Sequence, residues 1–359
     1  MSENKCLRVG LIGAGTIAFS AHLPAMKILN HLVELVAVAD VRDENAARAA
    51  RDYGAKAYYS DYREMLARGD LDFVDICTPE FLHAEQVEAA AAAGVHVLCE
   101  KPMCSTPEEG DRMIAACERA GVKLMIAHSR RLTGRYRQIR VAIDRGDIGE
   151  VRYVRENERR PLSMYDTLDL GTGYWSPEGD RPWVAKAGYS QGAALTNAVH
   201  ETDLARWFVG ANPVSIFARS RIVTEGAEVP DMLSYTVEFD NGAIAAAEIV
   251  NQLPRGYPYF HMMEIIGRTG RILATDPPIS PLTVADSRGM TQKMNFPTLL
   301  HVDRAYVDEI EAFATAIRDD TEPPLSPHDA RAAVELSVAA IQSSERGETV
   351  TLPLKSGVS

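Results

Sequence analysis

The first 127 positions alternate short apolar runs with longer stretches of mixed character. Leu7–Ile12, Leu35–Ala39, Phe73–Cys77, Val95–Cys99 and Lys123–Ala127, with a weaker run near Ala55–Tyr59, predict strands. Thr16–Asn30, Glu44–Tyr53, His83–Ala93 and Pro107–Ala120 predict helices between them. Thr106, Pro107 and Glu109 spell a helix start, with a capping threonine, a proline in the first turn and a glutamate able to reach back. Runs that are apolar throughout, rather than alternating, suit strands buried on both faces. This half therefore predicts an α/β domain with a doubly wound parallel sheet.

After residue 127 the pattern changes. A helix is predicted over Arg135–Arg145, stopping at Gly146. Strand patterns then dominate: Val151–Asn157, Val214–Val223, Met232–Phe239, Ala243–Val250, Phe260–Ile266 and Arg271–Ala274. Asp240-Asn241-Gly242 is a strong hairpin turn. Two helices close the pattern, Ala305–Arg318 and Pro327–Arg346, the second announced by Ser326. The expected division is 1–127 for the first domain and 128–359 for a second α/β domain with a mostly antiparallel sheet, with the last helices able to pack back on the first. Residues 161–192, rich in Gly, Pro and aromatics, are the longest unpatterned stretch, and long ordered loops often carry function. Ser234–Phe239 and Ala243–Val250 are taken to carry apolar residues on both alternating sets, which anticipates a homodimer or homotetramer.

Composition narrows the classes. Among 359 residues, 38 are Lys or Arg and 50 are Asp or Glu, a formal net charge of −12. The basic footprint of a nucleic-acid binder is missing. No apolar run reaches the roughly 18 residues of a membrane span. The 5 cysteines include no C-x-x-C pair, so reduced thiols and no metal site are expected. The first residues lack the apolar region of a signal peptide. Together these features anticipate a cytoplasmic protein with neither nucleic-acid nor membrane partners.

The first strand runs into Gly13, Ala14, Gly15, Thr16, Ile17 and Ala18. Gly13, Gly15 and Ala18 form a G-x-G-x-x-A fingerprint, which suits a tight turn, close approach of a pyrophosphate and close helix–sheet packing. Phosphates would lie on the N–H groups opening the next helix. The second strand ends in Asp40, placed to accept from an adenosine ribose. Its charge would repel the extra phosphate of NADP, so NAD is favoured. Arg42 could offset that repulsion, or be an ordinary solvated arginine at a helix start.

Further candidates sit where strands end: the stretch Cys77 to His83 containing Thr78, Pro79 and His83; Glu100-Lys101-Pro102; and the stretch Gln191 to Asp203 containing Thr196, Asn197 and His200. In an open parallel sheet, ligands bind at the carboxyl ends of the strands. Thr78 and Lys101 are therefore expected to face the same crevice as Gly13.

With these residues the chain resembles the Gfo/Idh/MocA family, the glucose–fructose oxidoreductase and inositol dehydrogenase group. The resemblance spans nearly the whole chain, and its most specific marker is Glu100-Lys101-Pro102. It implies a Rossmann domain followed by an α/β domain with a broad open sheet, and nicotinamide-dependent chemistry on a sugar, polyol or related cyclic alcohol. Lys101 matches the family's catalytic lysine, His200 its catalytic histidine, and Arg131 a position close to the nicotinamide. Many members carry Asp where this chain has Thr196, so inositol-type chemistry resting on that carboxylate shifts its weight to Lys101 and His200. Proton removal from an alcohol needs a group whose pKa approaches the working pH, and a buried lysine can meet that requirement.

Bland alternatives stand beside each candidate. Taken alone, Lys101 is a surface lysine after a strand, and His200 with Asp203 a capping and ion-pair arrangement. His83 caps or packs beside a cofactor, and His22 is an ordinary histidine. Tyr165, Trp175, Arg181 and Trp183 either wall a substrate pocket or pack a long loop. Two further functions compete with a dehydrogenase: an NAD-dependent glycoside hydrolase, and a non-catalytic NAD-binding regulator.

Overall fold

The computed structural model describes residues 6–161, 183–253, 259–276, 282–286, 289–293 and 304–355. Tyr165, Trp175, Arg181 and His301 lie outside them. The chain divides into two compact units. Unit 1 comprises Met1–Leu132, Leu168–Trp183 and Thr298–Arg331, and unit 2 comprises Thr133–Thr167, Val184–Pro297 and Ala332–Ser359.

Unit 1 holds a six-stranded parallel sheet of β1 (Leu7–Ile12), β2 (Val33–Ala39), β3 (Ala57–Tyr59), β4 (Phe73–Ile76), β5 (His96–Glu100) and β6 (Leu124–Ala127). The order is β3-β2-β1-β4-β5-β6. The order reverses between β1 and β4, which opens the crevice where doubly wound sheets bind ligands. Connecting helices are α1 (Leu23–Ile28), α2 (Asp43–Tyr53), α3 (Tyr62–Leu66), α4 (His83–Ala92) and α5 (Pro107–Ala120). The expected box at Thr106 forms, with its side chain accepting from the Glu109 N–H and the Glu109 carboxylate accepting from the Thr106 N–H.

The expected single helix over Thr16–Asn30 is instead composite. Ala18–His22 is a π-helical turn, closed by the Leu23 N–H donating to the Ala18 carbonyl, and it continues into α1. Pro24 supplies a physical reason. It has no N–H to offer the carbonyl of Ser20, and its ring crowds that carbonyl.

Unit 2 contains α6 (Gly134–Asp144), α7 (Ala193–Thr196), α8 (Val199–Val209) and a nine-stranded sheet. Its strands are β7 (Val151–Pro161), β8 (Pro213–Arg221), β9 (Met232–Phe239), β10 (Ile244–Leu253), β11 (Phe260–Gly267), β12 (Arg271–Asp276), β13 (Leu282–Asp286), β14 (Gly289–Lys293) and β15 (Val350–Thr351). They lie in the order β14-β13-β12-β11-β7-β10-β9-β8-β15. β7 and β10 run parallel, and the other described pairs are antiparallel.

β7 continues past the expected Asn157 because its charges are paired. Arg159 donates to Glu248 of β10 at 2.6 Å, and Arg160 to Glu158 at 2.9 Å. β9 corrects the expectation of two apolar faces: Leu233, Tyr235, Val237 and Phe239 are buried, while Ser234, Thr236 and Glu238 are exposed. β10 keeps some apolar surface outward, with Ile244 exposed.

Two helices near the end of the chain, α9 (Arg304–Arg318) and α10 (Pro327–Arg346), complete the inventory. Val307, Ile310 and Phe313 of α9 belong to the apolar core of unit 1, where Phe313 meets Phe73 edge-on at 5.6 Å. Burying an aromatic ring of this size contributes roughly 2–3 kcal/mol. Leu336, Ala339 and Ala340 of α10 pack in the core of unit 2 with Ile139, Phe208 and Ile265. No helix among the described residues is long and apolar enough to cross a membrane.

Candidate active site

The turn after β1 is built by Gly13, at φ 92°, where a Cβ would come within 2.8 Å of the Thr78 methyl and 2.9 Å of the Cys77 backbone. A side chain is therefore excluded both by backbone conformation and by the strand end beside it. At Gly15 a Cβ would meet nothing within 4 Å, so the loop faces open space there. Thr16 and Ile17 follow, both half-buried.

Asp40 ties this loop to the end of β2. One carboxylate oxygen accepts from the Ala14 N–H and the other from the Arg42 N–H, each at 2.8 Å. Burial raises its pKa, against those two hydrogen bonds. Each oxygen keeps a further lone pair for another donor. Arg42 precedes α2 with its side chain half-buried.

At the end of β4, the Thr78 hydroxyl donates to Gln86 at 2.6 Å, and Pro79 leads into a short turn over Glu80–Leu82. The buried His83 ring lies between the carbonyls of Thr78, at 2.8 Å, and Pro102, at 2.9 Å, and burial pushes its pKa down. It thus ties the segment after β4 to the one after β5. Trp183 stacks edge-on with Phe81, ring centres 6.3 Å apart.

At the end of β5, Glu100 is buried. One oxygen accepts from the Lys101 N–H at 2.9 Å and the other lies 3.0 Å from Nε2 of His22. Lys101 is half-buried and is followed by a cis bond to Pro102. Arg131 is buried and paired with Asp329 at 2.9 Å.

In unit 2, Gly192 at φ 74° opens α7, and a Cβ there would collide with the Pro230 carbonyl. The Thr196 hydroxyl donates to the Gly192 carbonyl at 2.9 Å. Asn197 accepts from the Asn251 amide at 3.1 Å. His200 is buried on the first turn of α8, its N–H bonded to the Asn197 carbonyl at 3.1 Å. Deeper in this unit, Glu156, Glu201 and His261 are all buried and bring ligand-type atoms within 4.8 Å of one another.

A model described as "Oxidoreductase family, NAD-binding Rossmann fold" matches residues 7–128, and the GFO/IDH/MocA C-terminal domain matches residues 136–273. The chain belongs to the Gfo/Idh/MocA family of oxidoreductases. Inositol 2-dehydrogenase of Rhizobium meliloti is 31% identical over 340 residues, covering 94% of this chain and 96% of that one. Myo-inositol 2-dehydrogenase of Thermotoga maritima is 26% identical, covering 96% and 98%. The structure of levoglucosan dehydrogenase in complex with NADH and levoglucosan superposes with a TM-score of 0.85 at 26% identity, covering 97% of this chain and all 100% of that one.

As a Gfo/Idh/MocA protein, the chain is an NAD(P)-dependent oxidoreductase with a Rossmann domain. Its loop geometry fits the dinucleotide. Gly13 holds the turn, the open space at Gly15 leaves room for a pyrophosphate, and Asp40 stands at the neighbouring strand end. The structure brings Gly13, Thr78 and His83 together, and joins Glu100 to Lys101, all within unit 1.

Two residues escaped the sequence reading. Glu80 is buried, neither carboxylate oxygen has a hydrogen-bond partner on another of the described residues, and burial pushes its pKa up to about 8 against its own backbone N–H and the charge of Lys101. His22 lies fully buried between two carboxylates. Glu80 sits inside the quoted Cys77–His83 stretch, so its neighbourhood was visible. Nothing in the spacing of His22 pointed to its partners, because they come from two other strands.

Proposed function

We propose that the protein oxidises a hydroxyl of a sugar, polyol or related cyclic alcohol with NAD as hydride acceptor, or runs the reverse reduction. The observation that carries this reading is Glu100-Lys101-Pro102 at the end of β5, with the Lys101 backbone held by the buried Glu100 carboxylate. When bound, the nicotinamide supplies the hydride chemistry. Gly13, Gly15, Thr16, Ile17, Asp40, Thr78, Pro79 and Arg131 hold the cofactor, with Asp40 setting a preference for NAD over NADP. His83 and Glu100 keep the strand ends in place around it.

Lys101 takes the proton of the substrate hydroxyl. His200 orients that hydroxyl and shares the proton, while Thr196, Asn197 and Trp183 contribute contacts to the substrate. The names of the relatives support the substrate class, since they include dehydrogenases of inositol and levoglucosan. We further propose a cytoplasmic homodimer or homotetramer. Its five free thiols and the exposed Ile244 on the open sheet face support that assignment.

The test is NADH formation across a panel of inositols, levoglucosan, aldoses and dihydrodiols, followed by substitution. Lys101→Met should lower kcat by roughly 10²-fold or more while leaving the Kd for NAD within about twofold, the scale of a lost general acid–base group. Thr196→Val removes one neutral hydrogen bond and should cost less than about tenfold. Near-normal turnover by Lys101→Met would overturn the assignment. Glycoside cleavage without net NADH would move the protein to hydrolysis.

A further inference from the structure

Beneath the strand ends of unit 1, two side chains that the proposed chemistry does not use, His22 and Asp75, join Glu100. Nδ1 of His22 is 2.7 Å from Asp75 Oδ2, and Nε2 is 3.0 Å from Glu100 Oε1. His22 and Asp75 are 0% exposed and Glu100 is 5% exposed. Asp75 comes from β4 and Glu100 from β5, so the ring cross-links two neighbouring strands and the helix that follows the dinucleotide loop. It reaches them from the π-helical turn, a local widening that recurs at functional sites. His22, Asp75 and Cys77 bring ligand-type atoms within 4.8 Å of one another, and burial keeps the Cys77 thiol protonated.

We propose that His22 is a positioning residue for Lys101, which it places by bridging Asp75 and Glu100. The inference rests on the reading of Lys101 as the proton-transfer group. The chain of contacts is continuous: Asp75, His22, Glu100, then the Lys101 N–H. With a carboxylate oxygen facing each nitrogen, the ring donates both hydrogen bonds only when it carries a proton on each. Burial works against that charge, but Asp75, with Cys77 beside it, raises the pKa of His22 well above the usual histidine value. Burial also raises Glu100, and the His22 hydrogen bond and charge bring it below the ordinary carboxylate range. Glu100 therefore stays ionised beside Lys101. The groups facing His22 are Asp75 and Cys77 from the end of β4, Glu100 from β5, and the Tyr306 ring of α9 at 5.4 Å. Those acting on Lys101 include Glu80 and Glu100.

Removing the ring leaves the buried Glu100 carboxylate without the partner that lowers its pKa, and burial then pushes that pKa up. His22→Gln should therefore lower kcat roughly 10-fold or more at pH 7. It should add an ionisation to the kcat–pH profile absent from the wild type, with NAD affinity within about twofold. Combining it with Asp75→Asn takes away a neighbouring carboxylate and should move that added ionisation to lower pH. The probe is NAD reduction with myo-inositol, or with the best alcohol of the panel. In the wild type, 15N shifts of the His22 ring should report both nitrogens protonated at pH 8, a measurement that needs neither substrate nor variant. A wild-type rate and profile in His22→Gln beside a dead Lys101→Met would overturn the positioning role and leave the Lys101 reading intact. An active Lys101→Met would overturn the reading beneath it. A ring with a single protonated nitrogen at pH 7 would overturn the proposed charge state, and the role with it.

Discussion

The two sheets store their buried charge in different places. In unit 1 the strands are apolar along their length, and Asp40, Asp75, Glu80 and Glu100 cluster at or just past the carboxyl ends. In unit 2 the buried acids of the sheet lie within a strand: Glu156 and Glu158 are interior residues of β7, with His261 on the neighbouring β11. A parallel sheet covered by helices on both faces offers polar chemistry mainly at its edge, where backbone groups and side chains are released together. An antiparallel sheet can hold polar groups along one face, provided each is matched. Tyr259 and Arg160 both donate to Glu158, at 2.8 and 2.9 Å. Charge at the edge is thus placed to meet a ligand, and charge along the face is placed to meet the fold.

That contrast breaks most visibly at the two glycine turns. Gly13→Ala adds a methyl against Thr78 and Cys77 at a positive φ, and should destabilise unit 1 by about 3 kcal/mol or more while also weakening NAD binding. Gly192→Ala meets the Pro230 carbonyl and should cost a similar stability with NAD affinity unchanged within about twofold. Gly15→Ala, in open space, should spare the melting temperature and weaken NAD alone. Thermal unfolding beside an NAD titration separates the three.

Glu80 sharpens the comparison through pH. Its folded pKa of about 8 lies above the ordinary 4.5, so the native state binds more protons than the unfolded chain between those values. Stability from this group is fully present below about pH 4.5 and is lost as pH rises through about 8. Glu80→Gln should raise Tm by about 3–6 °C at pH 8.5 and leave it unchanged at pH 4.5. An equal change at both pH values would contradict the burial-driven shift.

The smallest expected effect is at Asp40. Asp40→Ser removes the charge at the second strand end and should narrow the NAD-over-NADP preference by about tenfold, near 1.4 kcal/mol. Wild-type preference for NADP, measured by binding, would reassign cofactor choice to Arg42.

Much of this architecture was legible because unit 1 follows simple local rules. Its continuous apolar runs, the Thr106 start signal and Gly13-x-Gly15-x-x-Ala18 each concern residues close in sequence. Unit 2 was legible where a turn signal marks a strand end, as at Asp240-Asn241-Gly242 after β9, but the alternation of β9 was read as two apolar faces, and a helix without an apolar stripe was opaque. α8 carries Glu201, Thr202 and Asp203, all buried, so no apolar stripe betrays it. α3 is a single short turn capped by Asp61 and leaves too little periodicity to detect. The candidate site divides the same way. Gly13, Asp40 and Lys101 announce themselves through motifs, whereas His22 acquires meaning only from Asp75 and Glu100, residues 53 and 78 positions away.

The packing of α9 has a consequence for the birth of the chain. Val307, Ile310, Phe313 and Ala314 are buried in the same apolar core as Val9, Phe73 and Leu98, so residues near the start of the sequence wait for partners made close to its end. A ribosome releasing residues 7–128 has emitted every strand of the dinucleotide-binding sheet, yet the seam that Phe313 closes against Phe73 is still bare. Contacts of such separation close late, and until they do the exposed apolar surface invites association with other chains. The boundary drawn by motif therefore does not coincide with the smallest piece of polypeptide that can bury its own core. An excised nucleotide-binding half would need the α9 segment grafted back to behave as a folded body.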